Sequence, residues 1–271
     1  MCGIVGFSGP ENKSLLKEMN NLIYHRGPDD EGFYSSGLMN LAMRRLSIID
    51  VETGNQPISN EDGTIWVVFN GEIYNYIELR KDLEGKHRFK TDHSDTEVIV
   101  HLYEEYGEDW PQHVNGMFAV AVWDDRAKKL SLYRDRIGKK PLYYALKDSR
   151  IIFASEIKSI LKHPAVSGDY DFQALYQYFG LKNISAPRTA YGDIKQLLPG
   201  HVFSWQEGKA STRPYWKLDF SSSLGDITED EAAERLLELL EDAVKIRMRC
   251  DVPYGAYLSG GVDSSSVVVL M

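Results

Sequence analysis

Residues 1–7, MCGIVGF, decide how this sequence is read. If the initiator Met is removed, Cys2 carries a thiol and a free α-amine on one residue. Their reference pKa values, about 8.5 and about 7.7–8.0, lie close enough for the amine to accept the thiol proton near neutrality. Nucleophile and base then occupy one residue, and no histidine is required. GIVGFS behind it is rich in β-branched and aromatic residues and reads as a strand, so the alternative makes Cys2 a small buried hydrophobe at a strand start. The rest of the chain has to decide between the two.

The chain has 271 residues, 43% of them hydrophobic and 11% aromatic, enough to bury a full core as one large domain or two ordinary ones. A formal net charge of −9 argues against nucleic acid or an anionic membrane as partner, because phosphate-rich surfaces attract clustered Lys and Arg. Small-molecule substrates are expected instead. Cys2 and Cys250 are the only cysteines, too few for a disulfide scaffold. With no signal peptide and no apolar run of membrane-crossing length, a cytoplasmic protein is expected.

Strands are predicted at GIVGFS, IWVVFN, MFAVAVWD, KLSLYRD, PLYYAL and RIIFAS, and helices at 13–24, 75–83, 96–106 and 171–181. There is no βαβ rhythm, so the fold class is α+β with sheets packed in layers. Residues 217–227, KLDFSSSLGDI, have linker composition and place a boundary there. A helix should follow, with Thr228 and Glu231 at capping-box spacing and an apolar stripe of Leu236, Leu237, Leu240 and Val244. Gly255 to Leu258 reads as a buried strand, then a glycine turn, then a Ser-started apolar segment at which the sequence stops. Such a strand needs neighbours that the sequence does not supply, and a fragment is expected.

Further segments could serve an acyl-transfer nucleophile. In FNGEIYN (69–75), the Asn70 amide and the Gly71 main-chain N–H could stabilise an oxyanion, although Asn-Gly is equally a hairpin signal. A zwitterionic substrate needs both charges met. Arg45 in MRRLSIID offers a planar fork for a carboxylate, and Asp95 in HSDTEV with Glu72 offers the counter-charge. The ordinary readings are a solvated Arg and an Asp capping the next helix. RGPDDEG (26–32) reads as a substrate-side loop and RDRIGKKPLYY (134–144) as a structural strand, turn and strand. SGGVDSS offers main-chain N–H groups from Gly260 and Gly261 and hydroxyls from Ser259, Ser264 and Ser265 to an anion, without the Walker lysine.

MCGIVGF, HRGPDDEG, RLSIID, FNGEIYN, SDTEV, GMFA, RDRIGKKPLYY, FASEIKS, LPGH and LSGGVDSS occur in an order that resembles glutamine-hydrolysing asparagine synthetase along nearly the whole chain. The resemblance implies an αββα sandwich glutaminase of the N-terminal-nucleophile class over residues 2–216. The truncated start of an α/β synthetase domain of the ATP-pyrophosphatase type would occupy 228–271. It implies Cys2 as nucleophile, Asn70 and Gly71 as oxyanion hole, and Arg45, Leu46, Ile48, Glu72 and Asp95 as the glutamine pocket. It places ATP pyrophosphate at Leu258, Ser259, Gly260, Gly261, Asp263 and Ser264, with Mg2+ at Asp263. The implied substrates are glutamine, aspartate and ATP, with no cofactor for glutamine hydrolysis and a homodimer as the permitted assembly. The family's synthetase domain continues far beyond this loop, so the chain as given should hydrolyse glutamine only. The alternatives are a related amidotransferase acting on another carboxylate, and a non-catalytic dimerising remnant.

Overall fold

The computed structural model describes residues 2–221 and 225–271, so part of the expected linker, 222–224, and residue 1 lie outside it. The chain begins β1 (Gly3–Ser8), α1 (Lys13–Asn21), β2 (Asp30–Ser35), β3 (Met39–Arg45), β4 (Ile58–Ser59) and β5 (Ile65–Ile73). It continues α2 (Tyr76–Leu83), α3 (Asp95–Tyr106), β6 (Gly116–Asp124), β7 (Lys129–Arg134), β8 (Tyr143–Lys147) and β9 (Arg150–Ala154). Then come α4 (Ile157–Leu161), α5 (Phe172–Leu181), β10 (Ile194–Gln196), β11 (His201–Gln206), β12 (Lys209–Pro214), α6 (Glu229–Arg247) and α7 (Val262–Leu270).

Two six-stranded sheets form, in the orders β10-β8-β9-β1-β3-β2 and β12-β11-β7-β6-β5-β4. All their pairings are antiparallel. Side chains alternate between the faces of a strand, and β6 sorts its residues accordingly. Phe118, Val120 and Val122 join Val98, Ile99 and Leu102 of α3 in one core. Ala119, Ala121 and Trp123 join Ile4, Leu41 and Phe153 of the other sheet in a second. Val5 and Phe7 pack with Leu16 and Met19 of α1 and Ile160 of α4 in a third. Three apolar layers between four layers of elements make an αββα sandwich, and both faces of each central strand are covered. That accounts for the uninterrupted burial of GIVGFS and MNLAMRR.

The six strand segments read from sequence are all strands, β8 being shifted to Tyr143–Lys147. Three expectations change. Asn70 and Gly71 form no hairpin turn: β5 runs straight through them, paired with Ala119 and Phe118 of β6. The end of RGPDDEG is strand, since Asp30 opens β2 against Arg45. Residues 255–258 form no strand and are exposed; among the described residues no neighbouring strand takes up their backbone groups.

The chain divides into two compact units, Met1–Lys217 and Leu218–Met271. In the second, α6 carries the expected capping box, with Thr228 accepting from the Glu231 amide and the Glu231 carboxylate accepting from Thr228 N. Val244 of its apolar stripe is buried, whereas Leu236, Leu237 and Leu240 are exposed. Among the described residues no helix is long and apolar enough to cross a membrane.

Candidate active site

The antiparallel pairing of β1 with β3 sets Cys2, one residue ahead of Gly3, beside the chain leaving Arg45. The Leu46 amide lies 3.4 Å from Cys2 Sγ and donates to it, while the thiol reaches Leu46 O at 3.6 Å. Arg26 Nε donates to the Cys2 carbonyl at 2.9 Å, and Arg26 Nη1 donates to Glu156 at 3.1 Å. Asp29 accepts from Ser47 N at 2.9 Å. The charged residues of RGPDDEG therefore organise the loops around Cys2. Burial pushes the Cys2 thiol up, and the Leu46 hydrogen bond opposes that shift.

A narrow cleft is lined by Cys2, Arg45, Leu46, Ile48, Asn70, Gly71, Glu72 and Asp95, so one cavity gathers all eight residues singled out for the first site. Asn70 and Gly71 arrive from mid-β5. A Cβ on Gly71 would lie 2.1 Å from Met117 O, so the close approach of β6 requires glycine there. The Asn70 side chain is buried and lines the cleft, and neither its Oδ1 nor its Nδ2 has a hydrogen-bond partner. Buried amides are normally paired. An unpaired one facing a cavity is poised for a group that enters it.

Arg45 is not a solvated strand-end residue. It is buried, and its two terminal nitrogens donate to Ile49 O at 3.1 Å, Asp50 O at 2.5 Å, Val51 O at 3.2 Å and Asn55 Oδ1 at 2.6 Å. It thereby shapes the loop that carries Leu46 and Ile48. Nor does Asp95 act as the helix cap: Ser94 is the N-cap of α3, its hydroxyl accepting from Thr96 N. Asp95 Oδ2 instead accepts from Ile73 N at 3.0 Å, tying α3 to the end of β5. Burial pushes its carboxyl up to about 7; the Ile73 bond opposes the rise and nearby Glu72 adds to it.

Sequence reasoning missed Gln56 and Lys140 in this lining. Gln56 Oε1 accepts from Phe69 N at 2.7 Å and its Nε2 donates to Thr96 Oγ1 at 3.1 Å, a bridge that exists only after folding. Lys140 lies within RDRIGKKPLYY, where Asp135 accepts from Lys139 N and Lys140 N, both at 2.9 Å, and organises the turn. Burial lowers the Lys140 ammonium, with Glu72 and Cys2 acting the other way.

In the second unit, residues 258–264 are a loop running into α7. Gly260 has φ +81°, a left-handed backbone that favours glycine. Gly261 is the N-cap of α7. The Ser259 and Ser264 hydroxyls meet at 2.8 Å, Ser264 Oγ donates to Gly261 O at 3.1 Å, and Asp263 lies in the first turn. Leu258 is exposed.

A four-layer antiparallel sandwich with a cysteine at the head of a central strand and a buried amide across the cleft is the fold of the N-terminal-nucleophile amidotransferases. Residues 1–216 match the family model described as glutamine amidotransferase domain, and the chain belongs to that family. Residues 235–271 match the model described as asparagine synthase. Asparagine synthetase [glutamine-hydrolyzing] 1 of Bacillus subtilis (strain 168) is 40% identical over 99% of this chain and 43% of its own length. The putative asparagine synthetase [glutamine-hydrolyzing] 2 of Methanocaldococcus jannaschii is 37% identical over 100% and 57%. Amidase chyE of Penicillium rubens is 35% identical over 98% and 42%. The chain thus spans about half the length of these curated relatives. Among solved structures, glutamine phosphoribosylpyrophosphate amidotransferase from B. subtilis, complexed with ADP and GMP, superposes with a TM-score of 0.57 at 16% identity, covering 99% of this chain and 63% of that one. That likeness is one of fold.

Proposed function

We propose that the cleft hydrolyses the side-chain amide of glutamine, and that this is the first half-reaction of a glutamine-dependent asparagine synthetase. The observation that carries the reading is the unpartnered Asn70 amide in the same cleft as the Cys2 thiol. With Met1 removed, the Cys2 α-amine takes the thiol proton and the thiolate adds to the glutamine amide carbon. Asn70 Nδ2 and Gly71 N–H donate to the oxyanion that forms. The intermediate collapses as the leaving nitrogen takes a proton from the ammonium, giving ammonia and a γ-glutamyl thioester, and water then releases glutamate and restores the thiol. Arg45, its terminal N–H groups engaged by the 49–55 segment, brings its charge and the position of the Leu46–Ile48 wall to the substrate carboxylate end, and Asp95 with Glu72 meets the ammonium.

In this reading residues 2–216 are the glutaminase domain and 228–271 the first part of a synthetase domain. Residues 258–264 suit a pyrophosphate: two hydroxyls and a glycine-led helix N-terminus of nine residues converge there. Asp263 and the two serines are hard oxygen donors of the kind Mg2+ accepts beside phosphate oxygens. ATP bound there would activate the aspartate carboxylate that ammonia amidates.

The test uses full chain with a mature Cys2 terminus. Ammonia should be released from glutamine, and a glutamine-analogue electrophile should label Cys2 once per chain. Neither should occur in Cys2→Ala, while its circular dichroism stays unchanged. An intact-mass spectrum with Met1 still present in a fully active preparation would refute the mechanism.

A further inference from the structure

A second constellation of ligating side chains shares no residue with the Cys2 cleft. Glu61 follows β4, His87 lies between α2 and α3, and His101 and Glu104 stand three apart on α3. One ligand atom from each lies within 4.8 Å of all the others. His101 Nδ1 is 2.9 Å from Glu104 Oε2 and 3.8 Å from Glu61 Oε2. His87 Nδ1 is 3.4 Å from Glu104 Oε2 and 3.6 Å from Glu61 Oε1. A tetrahedral ion with bonds of about 2.0–2.2 Å sets its ligands about 3.3–3.6 Å apart, and the observed separations bracket that edge.

The surroundings are arranged as a metal's outer shell would be. His87 Nε2 is 3.2 Å from Glu105 Oε1. His101 is fully buried, and its Nε2 has no hydrogen-bond partner, Glu97 Oε1 lying 3.9 Å away. The Glu105 carboxylate on His87 Nε2 favours the tautomer that leaves its Nδ1 bare, the pattern by which metal-bound histidines are oriented, whereas His101 Nδ1 donates to Glu104 Oε2 at 2.9 Å, a proton that an ion would displace. Those outer carboxylates are themselves held, Glu105 by Lys86 Nζ at 2.5 Å and Glu97 by the amides of Lys90 at 2.7 Å and Thr91 at 2.8 Å. Arg88 N donates to Glu61 Oε1 and Asn60 Nδ2 to Glu104 Oε1, both at 2.8 Å, so Glu104 turns Oε2 to both histidines while Glu61 presents Oε1 to His87 and Oε2 to His101. The cation nearest Glu104 from another segment, Arg126, is 4.0 Å off.

We propose that Glu61, His87, His101 and Glu104 form a structural site for one divalent transition metal of the zinc class. Two imidazoles and two carboxylates are a donor set such an ion accepts, and a closed four-ligand shell holds structure without doing chemistry. The ion would clasp the β4–β5 turn and the α2–α3 connection to the middle of α3. The inference does not rest on the glutaminase reading.

Full chain stripped with chelator and re-equilibrated with Zn2+ should retain one zinc per chain through gel filtration, read by plasma mass spectrometry. Its melting temperature should rise on Zn2+ addition, and Co2+ should give the intense visible bands of tetrahedral coordination. His87→Gln should weaken Zn2+ binding at least tenfold and abolish the thermal shift. Glu61→Gln, at a more exposed position, serves as the second variant if metal-free H87Q melts below metal-free wild type. Cys2→Ala must keep the metal. Loss of zinc in Cys2→Ala, equal zinc in wild type and both cluster variants, or no retained zinc and no thermal shift in wild type would each overturn the proposal. In the last case the histidines are charge partners of the glutamates.

Discussion

At the scale of single residues, Asn70 and Asp95 make separable predictions. Asn70→Ala removes a donor aimed at developing charge and should lower kcat by roughly 10²–10³-fold, with KM for glutamine changed far less; steady-state ammonia release checks it. Asp95 carries a pH signature. Its carboxyl moves from 3.8 to about 7 on folding, so between those values the folded state holds a proton that the unfolded state has lost. Stability contributed at this position therefore falls as pH rises from about 4 to about 7 and is level above that. Urea midpoints of wild type and Asp95→Asn across that range should converge on the acid side and separate towards neutrality, Asn being the more stable. Glutamine binding runs the opposite way, because its ammonium needs the anion: KM should fall as pH rises through about 7, and the Asn variant should lose that dependence. That Cys2, Asn70, Arg45 and Asp95 belong to one site was legible from short, recognisable sequence contexts, and one cleft gathers them. Gln56 and Lys140 were not, since a glutamine bridging β5 to α3 and a lysine in a strand-turn-strand segment acquire their places only through packing.

At the scale of elements, the Asn-Gly step is the instructive reversal. Local propensity favours a turn there, yet nine residues of β5 pair in register with β6 and the tertiary pairing prevails. Gly71→Ala should cost roughly 1–3 kcal/mol through its contact with Met117 O, seen as a lowered melting temperature with reduced activity. Ser94→Ala removes the cap of α3 and should cost about 0.5–2 kcal/mol in chemical denaturation. Strands β5, β6 and β7 of the second sheet were readable as short runs rich in β-branched and aromatic residues bounded by turn residues. β3 was not, because MNLAMRR is buried on both faces and contains helix-favouring residues and two arginines, so neither its period nor its composition marks a strand. Residues 255–258 have strand composition, but composition does not supply a hydrogen-bonding neighbour.

At the scale of the whole molecule, the three apolar layers are built from residues of the first unit, up to 217. A chain ending at residue 217 should therefore unfold in one cooperative transition and, with a mature Cys2, retain glutamine hydrolysis. Loss of folding on that truncation would show the two units to be interdependent. Arg45 has a further bearing at this scale. Because it grips the carbonyls of residues 49, 50 and 51 and the side chain of Asn55, the segment from 45 to 55 is a self-bracing cassette. A protein engineer who wished to graft a new substrate preference onto this scaffold would have to transplant that cassette entire, since a lone guanidinium moved into a foreign loop would arrive without the scaffold that aims it.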